Sequence, residues 1–328
     1  MAMFGRGVTR ESMLELQKLA SSPSDNWWKE VLGAKELLLA VRNGYLNAYA
    51  KGQSVFKVDF EKTEGGAIRP LPAIHYKYLI KPALEKDPYV AFDGVKFAID
   101  PSDIVHTMYQ SKLTLPHLIR TAARFAGAEK TGVHTIAQKE PKVVDLEVAF
   151  TAAGQGESPS APRMDIAVLV PGARGNASLV FCEAKCFDNR ELWSLETKAL
   201  ADVSAERQIS VVAQIDKYQT FIRNETNRKE LVRAYGKVCK TLVEFGHQDS
   251  RRKCDELIQR VATGEAELTI HPSVYLLVYG FDDDQKKGAL AKRLKALREK
   301  GLRIIAKGKP SEFSLAKDIL RIESKMAD

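Results

Sequence analysis

Apolar and polar positions alternate with two different periods along this chain, and the period changes where the elements change. Val143 to Val148 alternates with period two, Val144, Leu146 and Val148 on one face and Asp145 and Glu147 on the other. Ile166–Val170 and Leu179–Cys182 are short apolar runs separated by Pro171, Gly172, Gly175 and Asn176, which reads as two strands joined by a turn. Val274–Tyr279 is a further buried strand, and Leu302–Ala306 a last one. Helical spacing predicts segments near 204–222, 224–246 and 249–262, with Ser204 capping the first and Gly246 and Gly264 closing the later ones. A basic helix follows to Lys300, closed by Gly301. From about residue 114 the order is helix, three strands, helices, strand, helix, strand, which predicts an α/β domain with a mixed sheet.

The first 110 residues carry a different pattern. A short amphipathic helix is predicted from Thr9 to Ala20. A second, capped by Ser24 or Asp25, is predicted to run to Gly44, with Trp27, Val31, Ala34, Leu38 and Val41 on its buried face. Residues 45–98 read as a small antiparallel sheet, with strands at 54–60 and 74–80 and a tight hairpin at Phe92-Asp93-Gly94-Val95. The Trp pair is assigned to the core. Tyr76, Lys77 and Tyr78 fit an ordinary edge strand better than a stacking platform for bases. The expected division is residues 1–110 and 111–328, with helices over 101–128 and Pro116 in a first turn.

Composition narrows the class. Hydrophobic content of 45% and charged content of 28% suit a soluble globular protein. No apolar run reaches the roughly 20 residues of a membrane span, and the first residues lack the apolar core of a signal peptide, so a cytoplasmic setting is expected. Four cysteines, Cys182, Cys186, Cys239 and Cys254, form no C-x-x-C pair and are expected as reduced, buried thiols. The net charge is +8, and residues 284–310 hold ten Lys and Arg against only Asp284 and Glu299. Lys292, Arg293 and Lys295 on the predicted helix are therefore candidates for phosphate contact. There is no Walker A loop, no G-x-G-x-x-G after a strand and no serine nucleophile elbow.

The chemistry concentrates in residues 163–185. Phe181, Glu183 and Lys185 share one face of their strand, and Asp165 opens the preceding one. If the strands pair as a hairpin, Asp165 and Glu183 lie near the same end. Converging carboxylates repel unless a cation lies between them, and oxygen ligands suit Mg²⁺ or Mn²⁺. A lysine beside such a pocket fits metal-assisted attack of water on a phosphodiester. Asp165 followed by Glu183-x-Lys185 resembles the PD-(D/E)XK nuclease superfamily, with Met164 where its first motif usually has proline. Gln214 and Tyr218, four residues apart on one helix face, resemble the Gln-x-x-x-Tyr motif of the RecB-like and lambda-exonuclease-like branch.

The resemblance covers roughly residues 111–310 and implies a restriction-endonuclease-like αβββαβ core, with an N-terminal α+β region left unexplained. It implies a Mg²⁺- or Mn²⁺-dependent deoxyribonuclease. Asp165, Glu183 and the Ala184 carbonyl would hold the metal, Lys185 would activate water, and Gln214 and Tyr218 would orient the lysine or the strand. Glu147, ahead of Asp145, is the expected additional acid, and His117 a weaker candidate upstream. A loop over Thr151–Pro162 is expected beside the site. DNA is the implied partner, RNA stays open, and phage defence or repair is the implied setting, with a homodimer or a defence-system partner protein as the assembly. The alternative is a non-catalytic nucleic-acid-binding protein on the same fold.

Overall fold

The computed structural model describes residues 4–79, 89–98, 108–149, 163–193 and 211–327. The loop expected over 151–162 and the Ser204 cap lie outside them. The chain forms two units. One comprises Gly5–His134 and Ala234–Glu265, the other Thr135–Arg233 and Ala266–Asp328 with the extreme N-terminus. This division differs from an expected boundary near residue 110, because the chain returns to the first unit after residue 233.

The first unit opens with α1 (Arg10–Ser21), whose Thr9 side chain accepts from the Ser12 N–H. Asn26, rather than Ser24 or Asp25, caps α2 (Trp27–Gly33) by accepting from the Trp28 and Lys29 N–H groups. The helix stops at Gly33, eleven residues short of the expected end at Gly44. Its final carbonyls are taken by a guanidinium: Arg252 donates to the carbonyl oxygens of Val31, Leu32, Ala34 and Leu37. The apolar run that follows becomes β1 (Leu38–Val41), paired antiparallel with β2 (Leu46–Ala50). Asn43-Gly44 supplies the turn, with Gly44 at φ 84°, a tight-turn signal that the helical spacing obscured.

A meander continues with β3 (Gln53–Lys62), β4 (Ile68–His75) and β5 (Tyr89–Ala91), in the order β1-β2-β3-β4-β5. Tyr76–Tyr78 is a 3-10 turn rather than the continuation of a strand. Tyr78 is fully buried, which removes it as a base-stacking surface. The tight turn at Phe92 is present: Asp93 Oδ1 accepts from the Val95 and Lys96 N–H groups. Trp27, Phe56 and Phe92 meet with ring centroids 5.5–6.1 Å apart and form the core. The sheet is followed by α3 (Thr114–Phe125) and α4 (Ala128–Lys139).

The second unit is a mixed sheet. β6 (Val143–Ala149), β7 (Arg163–Pro171) and β8 (Ala177–Cys186) are antiparallel neighbours. Then come α5 (Arg190–Trp193), α6 (Val211–Arg223) and α7 (Glu225–Gln248), the last of which contains Gly246 rather than ending at it. α8 (Glu256–Thr263), in the first unit, closes on Gly264 at φ 85°. β9 (Leu268–Ile270) and β10 (Tyr275–Tyr279) then lie along the same edge of β8, both parallel to it. α9 (Asp283–Lys287) and α10 (Ala289–Glu299) lead to β11 (Arg303–Ala306), parallel to β10, and α11 (Leu315–Ala327) ends the chain. The strand order is β11-β10-β8-β7-β6. β7, β8 and β10 are buried almost throughout, as expected of strands covered on both faces. Charged side chains at the ends of such strands are therefore the exceptions that need explaining.

Candidate active site

β8 ends in those exceptions. Glu183 and Lys185 are 2% and 5% exposed, in a strand whose neighbours are apolar. The register of β7 against β8, carried one residue beyond Ile166↔Cys182, brings Asp165 level with Glu183. The β6–β7 register, flanked by Leu146↔Ile166 and Val148↔Met164, brings Glu147 level with Asp165. Directly opposed residues share a face, so three carboxylates cross three strands in one row. Lys185 lies two positions further along the same face as Glu183.

The main chain is adapted to this row. β6 shifts register by one residue between Val143 and Asp145, and Glu147 takes a left-handed φ of 48°. A non-glycine residue there costs on the order of 1 kcal/mol. Of the two acids of β6, Asp145 is buried and accepts from the Leu146 N–H (2.8 Å). Glu147 instead acts on Asp165 electrostatically. On the other side of the row, the Ala184 N–H donates to Asp165 Oδ2 (2.7 Å), in the direction where a ladder bond to β7 would continue.

The electrostatics follow from that packing. Burial, then the Glu183 charge, then the Glu147 charge push the Asp165 carboxyl well above the usual carboxylate range, against the Ala184 N–H and Lys185. Asp165 nevertheless keeps some solvent access. Lys185 Nζ lies 2.8 Å from Glu183 Oε1 and 2.7 Å from Glu191 Oε2. Glu191 was not anticipated. It stands on α5, whose start is fixed by the Asn189 side chain accepting from the Glu191 N–H (2.9 Å). An Asn two residues before a Glu is a helix-start signal, but nothing in the spacing announces that the helix reaches the lysine.

α6 places Gln214 and Tyr218 over the row. Gln214 Nε2 donates to Glu183 Oε1 (2.8 Å) and to the Tyr218 hydroxyl (3.1 Å), and that hydroxyl donates to the Arg163 carbonyl. Burial and the Glu183 charge raise the tyrosine's pKa, so it stays a neutral donor. Asp165, Glu183, Lys185, Gln214, Tyr218 and Glu147, proposed from sequence, are thus together.

His117 belongs to α3 in the first unit and lies 3.3 Å from the Thr121 hydroxyl. The cysteines are free thiols, divided between β8 and the first unit. On α10, Lys292 and Lys295 are exposed, whereas Arg293 is partly buried and donates to the Leu192 carbonyl. Among the described residues no three His, Cys, Asp or Glu side chains are gathered as a metal-holding group, and no helix is long and apolar enough to cross a membrane. Asp165 and Glu183 are instead occupied by protein donors. No family model, curated protein or solved structure matches this chain.

Proposed function

We propose that the second unit is a Mg²⁺- or Mn²⁺-dependent nuclease of the PD-(D/E)XK type, acting on DNA, with β6–β8, α6, β10 and their flanking helices as its restriction-endonuclease-like core. The observation that carries this reading is the row Glu147–Asp165–Glu183 with Lys185 two positions along. Such a row is expensive without a compensating cation. Each buried carboxylate raises the cost of ionising the next, as the upward shift of Asp165 records. The donors are all oxygen, which suits a hard dication and not a soft one. Carboxylates so placed fit the group by donor chemistry, with protein N–H groups and Lys185 holding them meanwhile.

Asp165 and Glu183, with the Ala184 carbonyl and Glu147, would hold the ion, which would supply polarisation of the phosphoryl oxygen and a more acidic water. The chain's own groups do the rest. Lys185 presents an ammonium beside the carboxylates, where it can orient water and offset charge developing on the phosphate. Glu191 keeps that ammonium in place. Gln214 fixes Glu183, and Tyr218 fixes Gln214. Phage defence or DNA repair in the cytoplasm is the setting that the motifs suggest.

The test is incubation of the purified protein with linear and circular DNA in Mg²⁺, Mn²⁺ or EDTA, beside Asp165→Asn and Glu183→Gln. Cleavage should require the metal and disappear in both variants while their melting remains cooperative. Cleavage in EDTA, or full activity in either variant, contradicts the reading.

A further inference from the structure

Next to the acidic row lies a second row, and one member of it keeps a buried side-chain donor unsatisfied among the described residues. Arg163 precedes Asp165 by two residues in β7, which places both on one face and Arg163 about 7 Å along the strand. Carrying the β7–β8 register to the strand end brings Arg163 level with Lys185. Its main chain is tied into the site: the carbonyl accepts from the Tyr218 hydroxyl, which also accepts from the Gln214 amide that holds Glu183. The side chain is not so engaged. Arg163 Nε is buried and has no hydrogen-bond partner among the described residues.

Four other arginines of this unit are engaged. Arg223, Arg228 and Arg293 donate to the carbonyls of Pro272, Ile270 and Leu192, and Arg303 pairs with Glu323. Lys185 is held by two carboxylates. Arg163 thus combines a fixed backbone, a position in the site and an unsatisfied buried donor. A buried N–H without an acceptor is costly and becomes an asset only when a ligand supplies the oxygen. A guanidinium fork matches two oxygens of one phosphate, which a lysine ammonium cannot.

We infer that Arg163 grips the backbone phosphate of the nucleic acid at this site, setting its register against the acidic row. The inference rests on the nuclease reading for the identity of the ligand, and it adds a substrate-binding residue that none of the motifs contains.

The experiment uses full-length protein, Arg163→Met and Arg163→Lys. Affinity for labelled linear duplex DNA is measured with Ca²⁺ in place of Mg²⁺, and single-turnover cleavage with Mg²⁺ at saturating DNA. Arg163→Met should bind about tenfold more weakly and cleave about 100-fold more slowly, the scale of a lost charge-assisted, position-setting contact. Arg163→Lys should recover most of the binding and only part of the cleavage, because it restores charge and not the fork. Binding and cleavage by Arg163→Met within twofold of the parent overturn the inference. If that variant does not fold, cleavage by Arg163→Lys decides: a rate equal to the parent's overturns it, and a tenfold deficit supports it. If the parent cleaves nothing, the nuclease reading fails by itself. The binding arm then still judges Arg163, with a tenfold loss supporting the phosphate grip and an unchanged affinity contradicting it.

Discussion

Arg252 in the first unit and Lys185 in the second are both enclosed cations, and they are compensated in opposite ways. Among the described residues Arg252 hydrogen-bonds to main-chain oxygen: its four bonds go to the carbonyls of Val31 and Leu32 in the last turn of α2 and of Ala34 and Leu37 just after it. Burial draws its pKa down to about 10, which leaves it charged at neutral pH and favourably placed at a helix C-terminus. Lys185 meets two carboxylates, Glu183 and Glu191, beside a third and a fourth in Asp165 and Glu147. The first arrangement commits four of the five guanidinium donors to architecture. The second assembles more negative charge than its cation offsets, a poor way to stabilise a sheet and a good way to prepare a cation site.

The largest expected effect on stability is at Arg252. Arg252→Ala leaves the end of α2 with unsatisfied carbonyls and should destabilise the first unit by about 3–5 kcal/mol, several charged hydrogen bonds being lost together. Chemical denaturation followed by tryptophan fluorescence reports it, since Trp27 and Trp28 lie in that core. A loss below 1 kcal/mol would erase the contrast between the two cations.

A smaller effect of opposite sign is expected at Asp165. The folded state holds its proton more tightly than the unfolded state does, so the metal-free protein should lose stability as pH rises from the ordinary carboxylate range through the raised value. Asp165→Asn keeps an acceptor for the Ala184 N–H and removes the charge. In EDTA at neutral pH it should be more stable than the parent by about 1–2 kcal/mol, with a flatter pH dependence. Thermal melts from pH 4 to pH 8 check this. A variant less stable than the parent would make Asp165 a structural residue like Arg252.

The smallest effect concerns α10. Lys292→Glu with Lys295→Glu should lower the salt slope of DNA binding by about 1–2, with cleavage at saturating DNA unchanged. Arg293 belongs outside this set because its guanidinium is committed to Leu192. An unchanged slope in a two-salt mobility-shift titration would show that this face looks away from nucleic acid.

What was legible in the sequence was what period and local spacing encode. β7, β8 and β10 are apolar runs of strand length, Glu183 and Lys185 interrupt one of them, and Gln214 and Tyr218 are one helical turn apart. Other features depend on partners distant in sequence. The end of α2 at Gly33 is set by Arg252, more than 200 residues away, so helical spacing alone ran the helix too far. The alignment of Glu147 with Asp165 depends on a register shift in β6 that alternation cannot show. Glu191 and Arg163 fall outside the motif spacings and join the site through α5 and through the pairing of β7 with β8.

If the charge gathered at the end of β8 does chemistry, Lys185 is the residue whose loss should show it. An ammonium has no lone pair and does not ligate a metal, so Lys185→Ala should bind Mg²⁺ or Mn²⁺ and DNA within a few-fold of the parent. Its single-turnover cleavage rate should fall by roughly two or more orders of magnitude, the scale of a lost positioned catalytic group. A folded, metal-binding Lys185→Ala protein that cleaves at the parental rate would contradict the claim and reduce Glu183, Lys185 and Glu191 to a buried ion-pair network.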